Sequence, residues 1–325
     1  MSFDLGAALA ARPAIVAPME DVSDAAFRSV CRARGASLAV TEFVHERALR
    51  EGKRDAATKI DLAADDHPTA IQIYGADPDG LEEAAAIAEA AGPAWLDVNC
   101  GCWVPKVARG GAGAGWLRDP DAMVAMAARL VKRVSLPVTV KTRIGWGDEI
   151  EMPVVTLARR LEDAGVAAIT LHCRTATMGH EGAADWRWAA RVREVVRIPV
   201  IVNGDVKSAG DAERALRETG CAAVMIGRRA IEHPWIFREV RARLDHGASH
   251  PPPSLTERLA CCRDHLLALA SRKHEHAALR AVKRYHGGYL KGVPGAKILA
   301  RQLAESRSIA EALDHLACAE IDLAA

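Results

Sequence analysis

The feature that most constrains the fold is a series of eight short apolar runs, rich in β-branched residues and evenly spaced. Each run is continuously hydrophobic rather than alternating, which is typical of parallel strands covered on both faces. Helical patterns rich in Ala, Leu, Arg and Glu lie between most of the runs, and several begin with an Asp or Ser cap. The runs are 14–19, 38–44, 69–75, 95–100, 137–145, 168–174, 199–206 and 223–230.

Eight strand–helix units within about 235 residues are typical of a (β/α)₈ TIM barrel. A doubly wound open sheet is the alternative. The even spacing of the units and the polar residues that end each run favour the barrel. We therefore predict an α/β fold built on a closed barrel of eight parallel strands.

The pattern changes at 246–254, where HGASHPPPS contains three consecutive prolines. Such a run cannot continue a helix and suits a stiff linker. Beyond it the sequence is helical throughout, with breaks at glycines and at GVPG. We predict a catalytic barrel domain over 1–245, a linker over 246–254 and a small all-helical domain over 255–325.

The charges are distributed unevenly. The whole chain carries 43 Lys and Arg against 42 Asp and Glu, but residues 241–300 alone carry eleven basic against four acidic side chains. A basic segment in a near-neutral chain suggests contact with a polyanion, and a helix with a solvated basic face is the alternative. No apolar run approaches the ~18 residues that span a bilayer, and no secretory signal begins the chain, so we predict a cytoplasmic protein without membrane contact.

Polar side chains stand at the end of nearly every predicted strand, whereas the strand interiors are Val, Ile, Leu and Ala. In barrel enzymes the active site forms at these carboxyl ends, so the pattern predicts a catalytic site. The strand ends carry Pro18 with Met19, Glu42, Gln72, Asn99 to Cys102, Lys141 with Arg143, His172 with Arg174, Asn203 to Asp205, and Gly227 with Arg228.

The last two strand ends favour a phosphorylated ligand. Gly204 lets backbone approach a ligand closely, and the guanidinium of Arg228 suits phosphate oxygens. Lys141 could form a Schiff base, or it could stay charged and stabilise electron density on a bound ring. His172 and Arg174 alternate along one strand and so share a face, which we expect to meet the ligand.

The motif DVNCGCWVPK at 97–106 contains two cysteines separated by one glycine. A metal site needs three or four ligands with recognisable spacing, so we predict no metal here. A disulfide across one residue would be strained, and a reducing compartment disfavours it. One reactive thiol beside an inert neighbour is the interpretation that remains.

These motifs form an ordered series that covers nearly the whole chain: APM, QIYG, DVNCGC, VKTRIGW, LHCRT, NGD, IGRRAIEHPWIFREV and RAVKRYHGGYLKGVPGAKIL. The series resembles the dihydrouridine synthases, flavoenzymes that reduce uridine in tRNA. The resemblance implies FMN in the mouth of the barrel, NADPH as its reductant and tRNA as the partner. No protein partner is implied, so a monomer is expected.

The resemblance also implies a role for each matching residue. Cys102 is expected to give a proton to C5 of the uracil ring after a hydride passes from flavin N5 to C6, while Asn99 and Arg174 hold the base. Lys141 is then an electrostatic group rather than a Schiff-base former. The basic residues Arg280, Lys283 and Arg284 are expected to contact the RNA. The expected cofactor contacts are Ala17, Pro18, Met19, Gln72, Lys141, His172, Asn203, Gly204, Asp205, Gly227 and Arg228.

One residue departs from the family pattern, because Trp103 stands where proline usually follows the acid cysteine. A tryptophan there could stack on a base or could pack the loop. The alternatives to tRNA reduction are a flavin oxidoreductase for a free small molecule, the same chemistry on ribosomal RNA, and an RNA-binding protein without catalysis. A basic helical domain favours an RNA substrate, since an enzyme for small molecules does not need one.

Overall fold

The computed structural model describes residues 3–11, 13–63, 66–147 and 152–324. Eight parallel strands close into a barrel in which each strand pairs with its neighbour in the chain and the last pairs with the first. The predicted (β/α)₈ barrel is confirmed. The strands are β1 (Ala14–Val16), β2 (Leu38–His45), β3 (Thr69–Tyr74), β4 (Trp95–Cys100), β5 (Val138–Arg143), β6 (Ala168–His172), β7 (Val200–Asn203) and β8 (Ala223–Ile226).

Helices surround the barrel and form the carboxyl-terminal part of the chain. Around the barrel lie α1 (Leu5–Ala10), α2 (Ala25–Arg32), α3 (Glu46–Arg50), α4 (Arg54–Ile60), α5 (Pro78–Ala90), α6 (Pro105–Ala108), a 3₁₀ helix (Gly113–Arg118), α7 (Pro120–Arg133), α8 (Val154–Asp163), α9 (Arg187–Val195), α10 (Ala209–Thr219), α11 (Arg228–Glu232) and α12 (Ile236–His246). The carboxyl-terminal helices are α13 (Leu255–Ala270), α14 (Glu275–Tyr289), α15 (Ala296–Glu305) and α16 (Ile309–Ala324). No helix in the described ranges is long and apolar enough to cross a membrane.

Local sequence explains where many of these helices begin and end. Carboxylate or hydroxyl side chains accept a hydrogen bond from a first-turn N–H at the start of α2, α5, α7 and α10. A glycine in the left-handed conformation ends α10 at Gly220 and α12 at Gly247. The caps are Asp24, Asp77, Asp119 and Ser208.

The burial of the strands accounts for their continuous hydrophobicity. Every residue of β4 and β7 is buried, because helices cover the outer face while side chains fill the barrel. At the amino-terminal end of the barrel, Leu5 and Leu9 of α1 pack in one apolar cluster with residues such as Ile15 and Met225. Since α1 covers this end, the large cavity described below opens at the other end.

The helical carboxyl-terminal region is also confirmed, and it packs on the barrel. Ser254 and Glu257 form a capping box that starts α13. The ring of Phe27 in α2 stacks on Tyr285 in α14, with ring centroids 5.4 Å apart, and both side chains are buried. Residues 248–254 contain no helix or strand. The three-part division at 246–254 stays a prediction.

Candidate active site

A cavity of about 890 Å³ opens at the carboxyl ends of the strands. It brings together all of the predicted site residues of the barrel except Gln72. Predicted residues from six strand ends therefore face one space, and five of these ends contribute polar groups, as the barrel geometry requires of an active site. The predicted residues that line it are Ala17, Pro18, Met19, Asn99, Cys102, Lys141, His172, Arg174, Asn203, Gly204, Asp205, Gly227 and Arg228.

The loop after β4 presents Cys102 to this cavity. The Oδ1 of Asn99 accepts hydrogen bonds from the backbone N–H groups of Gly101 and Cys102, at 3.1 and 2.9 Å. Burial raises the pKa of the Cys102 thiol, and this outweighs the opposing charges of Arg143 and Lys141. The thiol is therefore protonated at neutral pH and can act as an acid.

Its neighbour Cys100 is different. Cys100 belongs to β4, is fully buried and belongs to the apolar cluster outside the barrel. Burial also raises its pKa well above the usual range. Both cysteines are free thiols. The pair thus consists of one accessible thiol and one packed in the core.

A chain of hydrogen bonds lies beneath the loop after β4 that carries Cys102, which we call the acid loop. Gln72 Nε2 donates to Asp97 Oδ2 at 2.5 Å, and Asn99 Nδ2 donates to Gln72 Oε1 at 2.9 Å. The Thr139 hydroxyl donates to the other carboxylate oxygen of Asp97. Burial raises the pKa of Asp97 to about 6, although hydrogen bonds from Thr139 and Gln72 oppose the shift. Gln72 is fully buried, so it acts on the cavity through Asn99, and its contact with a cofactor stays a prediction.

Two cations of β5 face the cavity. Burial lowers the pKa of Lys141 to about 8, and the neighbouring charge of Arg143 lowers it further while Asp97 opposes. Arg143 is only 2% exposed, and no carboxylate within the described ranges pairs with it. Uncompensated positive charge in a closed space favours an anionic or electron-rich ligand.

Arg143 was noted at a strand end but was not among the predicted site residues. Its Nε donates to the carbonyl of Gly101 at 2.8 Å, and its Nη1 donates to those of Thr175 and Gly179 at 2.7 and 2.9 Å. It therefore ties the acid loop after β4 to the loop after β6. The available signal was its spacing of two from Lys141, which places both side chains on one face of β5.

His172 and Arg174 meet at the end of β6, as their spacing predicted. Arg174 is 2% exposed and donates to the carbonyls of Glu181 and Gly182, at 3.0 and 2.7 Å, and to Asp205 Oδ2 at 2.7 Å. Its Nη1 lies 3.3 Å from His172 Nε2. Because a guanidinium only donates, that nitrogen accepts, and the imidazole proton sits on Nδ1. Burial strongly lowers the pKa of His172, which keeps the ring neutral.

The ends of β7 and β8 form a corner suited to an anion. Asp205 accepts from the N–H of Ala184 at 2.8 Å and lies 3.6 Å from the guanidinium of Arg228, which is 56% exposed. Gly204 has φ +115°, and a Cβ there would come within 2.8 Å of Ala184 Cβ. Asn203 Nδ2 donates to the Met225 carbonyl at 2.8 Å. Asp205 thus contacts both Arg174 and Arg228, and its contact with a cofactor stays a prediction.

Comparison with known proteins agrees with this site. A family model described as dihydrouridine synthase (Dus) matches residues 15–324. The chain belongs to the dihydrouridine synthase family. It is 35% identical over 306 residues to the probable tRNA-dihydrouridine synthase 1 of Synechocystis sp., with 92% of this chain and 84% of the relative covered. It is 38% identical over 281 residues to tRNA-dihydrouridine synthase B of Xanthomonas campestris pv. campestris, with 86% and 84% covered.

Among solved structures, the fold of this synthase-family chain is similar to that of a mutant morphinone reductase in complex with tetrahydroNAD. The TM-score is 0.53 at 14% identity, with 75% of this chain and 89% of the other covered. At that identity the likeness concerns the barrel fold alone. The resemblance inferred from the ordered motifs is confirmed by the family model and the curated relatives.

The basic residues of the helical region lie outside the cavity. Arg280, Lys283 and Arg284 are exposed on α14. Arg284 donates to the backbone carbonyl of Asp21, so this side chain joins α14 to the barrel. Their contact with RNA stays a prediction.

The helical region supports the loop after β1, which supplies Ala17, Pro18 and Met19 to the cavity. Tyr285 donates its hydroxyl to the Val22 carbonyl at 3.3 Å, and Lys273 lies 3.1 Å from the carboxylate of Asp24. Sequence patterns did not reveal these contacts, because they join residues more than 240 positions apart. The helical region therefore contributes to the shape of the active site.

An acidic cluster stands at the rim of the cavity. Glu20, Asp21 and Glu42 offer carboxylate oxygens within 4.8 Å of one another. Lys59 pairs with Glu20 at 2.5 Å, and Glu42 accepts from the N–H of Asp21 at 2.6 Å. These contacts partly neutralise the cluster, and the expectation of no metal stays a prediction.

Proposed function

We propose that this chain reduces the C5–C6 double bond of uridines in tRNA to dihydrouridine, with FMN as its bound flavin and NADPH as the reductant. The observation that carries the proposal is the position of the Cys102 thiol, which lines the same cavity as Lys141 and His172 and has a pKa that burial raises. Membership of the dihydrouridine synthase family and relatives named as tRNA-dihydrouridine synthases support the reaction and the substrate.

The residues of the cavity fit FMN. Lys141 donates no hydrogen bond to any residue in the described ranges, so its ammonium is available to an electron-rich ring edge. The half-exposed guanidinium of Arg228 is available to the ribityl phosphate, and Gly204 lines the same cavity. Ala17, Pro18 and Met19 would line the flavin. When bound there, the flavin supplies the hydride that adds to C6 of the uracil ring.

Side chains of the protein stabilise the charge that the hydride transfer produces and then donate the proton. Hydride addition at C6 places negative charge on C5 and O4 of the uracil, and the buried charges of Lys141 and Arg143 stabilise it. Cys102 then donates its proton to C5, because burial keeps the thiol protonated at neutral pH. The uridine must leave its base stack to reach this cavity.

Asn99 and Arg174 are proposed to hold the uracil through N–H groups that their contacts within the protein do not use. Asn99 has one N–H free after its bond to Gln72. Arg174 has five N–H groups, of which the contacts with Glu181, Gly182, Asp205 and His172 use four. One donor from each therefore remains for the carbonyl edge of the base.

The basic face of α14 is proposed to contact the tRNA backbone. Its exposed side chains are Arg280, Lys283 and Arg284. Contacts of this kind release counterions, so affinity should fall steeply as salt rises. A tRNA substrate also implies that the enzyme works in the cytoplasm, and the expected form is a monomer.

The test is a complete reaction with the purified chain, FMN, NADPH and tRNA from a strain that lacks dihydrouridine. We expect dihydrouridine to form in the tRNA with one NADPH consumed per product, and none to form from free uridine. Reduction of free pyrimidines with no product in tRNA would favour the small-molecule oxidoreductase. Product in ribosomal RNA alone would overturn the choice of tRNA.

A further inference from the structure

Trp103 follows the acid cysteine directly and lines the cavity. A Cβ placed on Gly179 would lie 3.2, 3.2 and 3.3 Å from Cη2, Cζ2 and Cε2 of the Trp103 ring. Three adjacent ring atoms at nearly equal distance place Gly179 against the face of the six-membered ring, not its edge. One face of the indole is therefore covered by protein backbone.

The Gly179 backbone that covers this face of the indole is held in place by buried contacts. Gly179 has φ +56°, a conformation that favours glycine, and its carbonyl accepts from Arg143 at 2.9 Å. The same guanidinium donates to Gly101 next to the acid cysteine. Hydrogen bonds thus hold the Gly179 backbone in place against the indole, and a preformed stacking surface lowers the entropic cost of binding.

The surroundings of the ring are aromatic and apolar. His180 packs perpendicular to Trp103, with centroids 5.7 Å apart at 84°. Burial lowers the pKa of His180 to about 4, so the imidazole is neutral at physiological pH. His180 in turn lies 6.1 Å from His172, and Val104 at the rim is 44% exposed. A row of rings therefore runs from the rim to the centre of the site.

Basic side chains line the same cavity, among them Lys207 and Arg229. A ligand that contacts both the indole and these cations needs a flat apolar face and an anionic group. A nucleotide has both, since any base offers a π face for stacking and its phosphate pairs with Lys or Arg.

We propose that Trp103 stacks on the base of a nucleotide adjoining the uridine that is reduced, forming a second base site beside the acid. The inference rests on the proposed function and deepens it, because it assigns a substrate contact to a residue outside the family's usual pattern. It also implies that flanking sequence matters to this enzyme.

The test compares two trinucleotides with equal phosphate charge: UpUpU and an analogue with abasic riboses on both sides of the central uridine. With the FMN-loaded wild-type chain we expect UpUpU to bind between about fivefold and about 150-fold more tightly, the range expected for stacking of one base. In W103L, which keeps an apolar side chain against Gly179, this preference should fall to about one, whereas W103F should retain most of it.

The matched control is W188A. Trp188 lies on α9 under the guanidinium of Arg191, 4.4 Å from the ring centroid, and does not line the cavity. It should leave the preference unchanged. A W103L protein that keeps the wild-type preference, or that weakens both trinucleotides equally, would overturn the inference. If neither UpUpU nor tRNA is reduced by the wild type, the proposed function itself fails.

Discussion

In the hydrogen-bond chain beneath the acid loop, each group has a fixed role as donor or acceptor. Replacing one donor by an acceptor should therefore disrupt the chain. Asp97 accepts from Gln72, Gln72 accepts from Asn99, and Asn99 accepts from the N–H groups of Gly101 and Cys102. The substitution Asn99→Asp keeps the shape and both acceptor contacts to the loop. It removes the N–H that donates to Gln72 Oε1 and sets a carboxylate against a carbonyl oxygen.

The expected loss follows from the burial of these groups. Gln72 is fully buried and Asp97 is 2% exposed, so neither can turn to water. Leaving one buried acceptor unpaired costs about 1–3 kcal/mol, and more when a charge is involved, so N99D should lower the free energy of unfolding by about 2–4 kcal/mol. A flip of the Gln72 amide does not relieve the conflict, because it turns Oε1 toward Asp97.

The double variant D97N/N99D reverses the whole chain. The amide introduced at 97 can donate to a flipped Gln72, whose own amide then donates to the carboxylate introduced at 99. Urea unfolding of wild type, both single variants and the double variant gives the coupling free energy. We expect the double variant to be more stable than N99D by about 1 kcal/mol or more. A double variant as unstable as the sum of the single losses would refute the directional chain.

Three further predictions concern the same site. Burial raises the folded-state pKa of Asp97 to about 6, so its ionisation opposes folding; the unfolding free energy of wild type relative to D97N should fall by about 2 kcal/mol as pH rises from about 4 to about 6, in urea titrations. Gly113→Ala places a Cβ 2.7 Å from the Cys102 carbonyl oxygen and should slow dihydrouridine formation, whereas Gly92→Ala, also at positive φ but with nothing within 4 Å, should lose only about 1 kcal/mol of stability and no activity. Tyr285→Phe removes a hydrogen bond to the loop after β1 and should speed flavin release on dilution, measured by flavin fluorescence; unchanged release would show that the loop does not depend on it.

Much of the barrel and its site could be predicted because the relevant signals are local. A continuous apolar run indicates a strand buried on both faces, and the residue at its end faces the mouth of the barrel whichever helix follows. Lys141, His172 and Arg228 could therefore be placed in the cavity from their positions alone, and the cavity includes them.

The side-chain partners could not be predicted in the same way. Position at a strand end does not tell whether a side chain reaches the ligand or a neighbour, and Gln72 is fully buried against Asp97 and Asn99. Arg143 looked equivalent to other strand-end residues, although its three carbonyl contacts depend on how two loops fold over it. Arg284 was expected on the RNA surface, but its bond to Asp21 depends on the packing of distant helices.

Cys102 is proposed to be the proton donor in the reduction of uridine. The most direct measurement mixes tRNA with enzyme whose flavin has already been reduced by NADPH, and follows dihydrouridine in one turnover. For C102A we expect flavin reduction at the wild-type rate but product formation slower by about 10²–10⁴-fold, whereas C100A should match the wild type in both steps. Formation of dihydrouridine by C102A at the wild-type rate would show that Cys102 is not the proton donor.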